Sequence, residues 1–193
     1  MRYALRMSSS FVFQPHVVQS DGTVITPDIA IDRVYATMTS SGLEAEPVAR
    51  LTSSTVIQEP VEAPLGAPAV VLVAASFGML VSVGVIARDV LPLARAAWRY
   101  DDIRNGYGDI VLRSWTVRAG QRTGFVTEEL SALMTPSDVM KSLGNAAGLK
   151  PGTAVFIGHP AGLGESVDAD RFEVALEGGL GTLTHGFDLE RMG

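Results

Sequence analysis

Residues 67–87 read Ala-Pro-Ala-Val-Val-Leu-Val-Ala-Ala-Ser-Phe-Gly-Met-Leu-Val-Ser-Val-Gly-Val-Ile-Ala, 21 residues without a charged side chain. Any fold of this chain must hide that stretch. One solution is a membrane-spanning helix, which needs about 20 apolar residues. Arg88, Arg95 and Arg99 follow the run, as the positive-inside rule asks. The other solution is a pair of buried strands that bend at Ser76-Phe77-Gly78. β-Branched residues crowd both halves, and they pack better on a pleated sheet than in a helix. Gly78 falls where a strand pair must turn, and Pro68 stands where a strand can begin. Burial on both faces would remove the usual alternation. The reading favoured is two strands, 70–75 and 79–86, with a single span through 67–87 as the alternative.

The rest of the chain is also rich in strand patterns. At 193 residues it is long enough for one ordinary domain, expected over 1–193 with a β-rich region at 1–66 and a core at 67–193. Residues 11–13, 17–18 and 23–26 read as short strands, with a turn at Ser20-Asp21-Gly22. Residues 29–35 suit a strand or a short helix opened by Asp28. Residues 89–100 read as a helix with Pro92 in its first turn. Residues 110–118 alternate as a strand, turn at Ala119-Gly120, and return through 123–126. Thr135-Pro136 opens a helix over 137–147, with Gly148 as its C-terminal cap.

Composition removes several classes of function. There are no cysteines, which rules out disulfides, zinc–thiolate sites, iron–sulfur clusters and thiol nucleophiles. A net charge of −6 without a basic run speaks against nucleic-acid binding. No Gly-x-Ser-x-Gly elbow and no phosphate-binding Walker loop occur. Residues 1–10 carry no apolar stretch after Arg2 and Arg6, so no signal peptide is expected and the cytoplasm is the expected location. Charged residues make up only 19% of the chain, which suggests a well-filled core or extra buried interface, and a homo-oligomer is expected.

The last quarter carries the chemistry. Pro151-Gly152 makes a turn, 153–157 is a short apolar strand, and Gly158-His159-Pro160 and Gly162-Leu163-Gly164 form a loop where backbone can approach a ligand closely. His159 stands on that loop just after a rigid strand, placed to donate to a carboxylate or to move a proton near neutral pH. His16 beside Pro15 reads as a surface residue, and His185 in the last strand as a structural one.

These pieces, with Leu149-Lys150-Pro151-Gly152 and Gly178-Gly179-Leu180-Gly181, resemble the C-terminal core of the fumarylacetoacetate hydrolase superfamily, including its 2-keto-4-pentenoate hydratase branch. The resemblance covers residues 110–188. It implies an α+β, mainly β fold, a rolled mixed sheet with one or two helices. It also implies hydrolysis, hydration or decarboxylation of a small 2-keto or β-diketo acid with Mg²⁺ or Mn²⁺. On that reading His159 is catalytic, and Gly158, Pro160 and Gly162 bind substrate. The family's Glu-x-Glu pair and further carboxylate would fall on Glu44, Glu46 and Asp89. Ala87-Arg88-Asp89 matches the family, but Val83-Gly84-Val85 stands where its third acid is expected. The usual Gly-Thr-Pro is here Gly158-His159-Pro160. A non-catalytic assembly subunit on the same β scaffold is the alternative function.

Overall fold

The computed structural model describes residues 10–37, 42–60, 66–144, 148–160 and 168–192. In chain order the strands are β1 (Phe11–Phe13), β2 (His16–Val18), β3 (Val24–Ile25), β4 (Ile29–Ile31), β5 (Arg33–Thr37), β6 (Glu44–Glu46), β7 (Leu51–Thr52) and β8 (Val56–Pro60). There follow β9 (Ala67–Ala75), β10 (Gly78–Ile86), β11 (Leu91–Arg99), β12 (Val111–Arg118), β13 (Gln121–Glu129), β14 (Thr153–Gly158), β15 (Arg171–Gly178) and β16 (Gly181–Met192). Two short helices, α1 (Tyr100–Ile103) and α2 (Pro136–Ser142), interrupt them.

The charge-free stretch is the β9–β10 hairpin. Its antiparallel register runs from Gly78 opposite Ala75 to Ile86 opposite Ala67. Every residue of β9 is buried, which explains the lost alternation. β14 pairs with the free edge of β9, and β11 with that of β10. The mixed sheet therefore runs β3-β2-β11-β10-β9-β14-β5-β6, with β7 beside β11. No helix among the described residues is long and apolar enough to cross a membrane.

The two faces of this sheet pack against different partners. Val70, Leu72, Val83, Val85, Val155 and Ile157 meet Leu112, Phe172, Val174 and Leu176 of a second sheet, ordered β13-β12-β15-β16-β8. Val71, Val73, Ala154 and Phe156 meet Phe13, Ile29 and Ile31 of the β1–β4 ribbon. Each fully buried Val, Leu, Ile or Phe contributes roughly 1.5–3 kcal/mol, so the hairpin anchors both layers. This mainly β architecture with two mixed-in helices matches the expected class.

Two local expectations need correction. Residues 91–99 are strand, not helix: they pair with β10 on one edge and lie parallel to β2 and β7 on the other. Alanine and arginine favour helix weakly, and sheet pairing on two edges outweighs that preference. Only Tyr100–Ile103 turns helical. Of the two readings open for residues 29–35, strand or short helix, the strand one holds, as β4 and β5. The helix expected over 137–147 spans Pro136–Ser142, with a Thr135–Asp138 capping box. Gly144, at φ 67°, supplies the left-handed C-terminal residue in place of Gly148. Residues 145–147 lie outside the described residues.

A bulge between Ser82 and Gly84 shifts the β10–β11 register. The buried Ser82 hydroxyl reaches the carbonyls of Ala96 at 2.7 Å and Ala94 at 3.1 Å. Gly84 has no room for a side chain: a Cβ there would stand 2.4 Å from the Pro92 carbonyl oxygen and 2.9 Å from the Phe156 ring. Val83 and Val85 on either side are fully buried. The segment that replaces the family's third acid is thus closed apolar packing. Gly84→Ala should cost roughly 1–3 kcal/mol in urea unfolding, and Gly84→Asp more, because it also buries a charge.

Candidate functional site

His159 directly follows β14. Its backbone N–H donates to the Pro68 carbonyl at 2.9 Å, carrying the β14–β9 pairing one step past Gly158. Alternation along β14 places Val155 and Ile157 on the face toward the second sheet, and His159 falls in the same phase. Glu128 reaches it from that second sheet. In β13 it lies opposite Leu112, which is buried between the sheets. The His159 Nε2 and Glu128 Oε2 atoms are 3.4 Å apart. The His159 side chain is 15% exposed and that of Glu128 37%, so the pair lies at the edge of the inter-sheet space with solvent on the carboxylate side.

The arrangement suits proton transfer. A carboxylate against one imidazole nitrogen orients the ring. Gly158 is buried just before His159, and Pro160 is exposed just after it. Gly162 lies outside the described residues. Glu128 escapes the sequence reading because Thr127-Glu128-Glu129 looks like a solvated charge run. One signal was available: Val126 and Leu130 are buried, so Glu128 occupies the apolar phase of its strand.

The proposed metal ligands lie elsewhere. Glu44 and Glu46 share a face of β6, as their spacing suggests, but they stand opposite Ala36 and Val34. Those two residues pack with the β1–β4 side of the sheet, so the acidic pair is on the face away from His159. Glu46 is paired with Arg50. Asp89 is exposed in the turn between β10 and β11. Among the described residues no three His, Asp or Glu side chains gather closely enough to hold a metal ion. Glu44, Glu46 and Asp89 therefore do not fit the three-carboxylate cage that the resemblance implies.

The other histidines differ from His159. His16 is exposed on β2. His185 sits opposite the buried Val174 in β16, 6.0 Å from the Phe187 ring, with its Nε2 buried and unpartnered. Burial first, and the positive charge of Arg171 second, push its pKa from 6.5 down to about 4. Burial likewise raises the Tyr107 phenol above its ordinary range.

A family model described as protein of unknown function (DUF2848) matches residues 51–185. No curated protein matches the chain. Among solved structures, the fold is similar to Cg1458 solved with an inhibitor, at a TM-score of 0.62 and 13% identity, over 88% of this chain and 81% of that one. It is similar to yeast ynq8, a fumarylacetoacetate hydrolase family protein, at a TM-score of 0.56 and 12% identity, over 83% and 94% of the two chains. It is also similar to 2-keto-3-deoxy-D-arabinonate dehydratase complexed with magnesium and 2,5-dioxopentanoate, at 0.55 and 13%, over 93% and 74%. At these identities the likeness is one of fold.

His185 makes acid stability testable. The unfolded imidazole titrates near 6.5 and the folded one near 4, so between those values the unfolded chain holds the extra proton. Stability should fall as pH drops from about 6.5 toward 4, by up to about 3 kcal/mol, and level off below. His185→Phe should flatten that part of the profile in urea titrations. An unchanged slope would remove His185 as its source.

Proposed function

Because the chain belongs to the DUF2848 family of proteins of unknown function and has the fold of fumarylacetoacetate hydrolase family proteins, we propose that it is an enzyme acting on a small 2-keto or β-diketo acid. The observation that carries this reading is the His159–Glu128 pair, held 3.4 Å apart at the end of a buried strand. Solved proteins of this fold include a dehydratase bound to 2,5-dioxopentanoate, a small dicarbonyl acid.

Hydrolysis, hydration and decarboxylation of such acids share one demand. A proton must be delivered to, or taken from, an enol, a carbon or a water next to a carbonyl. In our reading His159 moves that proton, and Glu128 holds the imidazole in place and balances its charge when protonated. Gly158 and Pro160 shape the backbone on which the histidine stands, and the substrate lies against them. The dehydratase neighbour is complexed with magnesium, but the acidic residues described here form no cluster that fits such an ion. No step in this mechanism is routed through one.

A panel of small 2-keto and β-diketo acids tests the proposal. His159→Asn should lower kcat/KM by about 10²–10⁴-fold against the best substrate. Glu128→Gln should lower it by about 10–100-fold, mostly in kcat, and both variants should keep the wild-type unfolding temperature. A wild-type chain inert toward the whole panel, or a fully active His159→Asn, would overturn the reading.

A further inference from the structure

Arg50 holds together the two places where the resemblance looks for metal ligands. It ends the helical turn Val48–Arg50 that follows β6. Its Nη1 pairs with the Glu46 carboxylate. Its Nη2 donates to the carbonyl oxygens of Ala87 at 2.6 Å and Arg88 at 3.0 Å. Those carbonyls belong to the β10–β11 turn that carries Asp89. Both the Arg50 and Glu46 side chains are only 20% exposed.

A carboxylate oxygen converging with two carbonyl oxygens is the ligand type that hard divalent cations choose. Here a guanidinium satisfies those oxygens by hydrogen bonds. It is charged at every accessible pH, planar and tethered, so it cannot be exchanged or chelated away. An ion entering this place would have to expel the guanidinium from a largely buried position and leave it without its carboxylate, which is costly. We propose that Arg50 is a built-in cation replacing a divalent metal between Glu46 and the β10–β11 turn, and that this chain binds no metal through Glu46. The inference rests on the geometry of this corner and does not require the keto-acid reading.

Mn²⁺ binding followed by electron paramagnetic resonance, and unfolding temperature with and without millimolar Mg²⁺ or Mn²⁺, form the test. Wild type and Glu46→Gln should respond identically to both ions, even if other residues bind them. Arg50→Ala should unfold roughly 5–10 °C lower and recover part of that loss in a few millimolar guanidinium ion. If Arg50→Ala does not fold, the comparison of wild type with Glu46→Gln still decides. A Mn²⁺ site or metal-induced stabilisation present in wild type and lost in Glu46→Gln would overturn the proposal, as would an Arg50→Ala variant as stable as wild type.

Discussion

Everything in this fold is tied to burial of the β9–β10 hairpin on both faces at once. A strand covered on one side needs only one partner layer. These two strands need two, and the chain supplies them: the β1–β4 ribbon against Val71 and Val73, and the β12–β15 face against Leu72 and Val83. Both edges of the hairpin are also consumed, by β14 and β11. His159 is therefore held by residues far from it in sequence. Its backbone is stitched to Pro68 near the start of β9, and its side chain meets Glu128 of the second sheet.

This dependence explains what could be read from the chain. The stretch 67–87 was legible as two buried strands because β-branched residues crowd its halves and a glycine marks its middle. The β12–β13 hairpin was legible because β12 alternates and Ala119-Gly120 signals the turn. Residues 91–99 were not. Leu-Pro-Leu-Ala-Arg-Ala-Ala-Trp-Arg spaces its apolar groups as a helix would, and the strand is imposed by β10, β2 and β7, whose proximity no local pattern encodes. The same limit hides Glu128. Its partner is 31 residues away, and only the register of two sheets brings them together.

The acidic pair shows the reverse limit. Glu44 and Glu46 do share a face, as their i, i+2 spacing says, but spacing within one strand does not reveal which face. That is set by β5: with Val34 and Ala36 packed toward the β1–β4 ribbon, their cross-strand partners must point the same way. A one-residue change in that register would turn the pair toward His159. The glycine at position 84 and its valine neighbours close the same route from another direction, since the close approach of Pro92 and Phe156 leaves no volume for a carboxylate.

Two carboxylates paired with nitrogen-bearing side chains thus lie on opposite faces of one sheet, and the identity of that partner separates them. Arg50 opposite Glu46 carries a charge that no physiological pH removes, and all its contacts described here run to fixed oxygens of the same corner. Such a pair holds geometry and transfers nothing. His159 opposite Glu128 has a partner at a looser 3.4 Å, on the more exposed of the two carboxylates. An imidazole, unlike a guanidinium, can gain and lose a proton near neutral pH. The arginine corner is closed by hydrogen bonds to its own carboxylate and carbonyls, whereas the histidine pair keeps a partly exposed carboxylate.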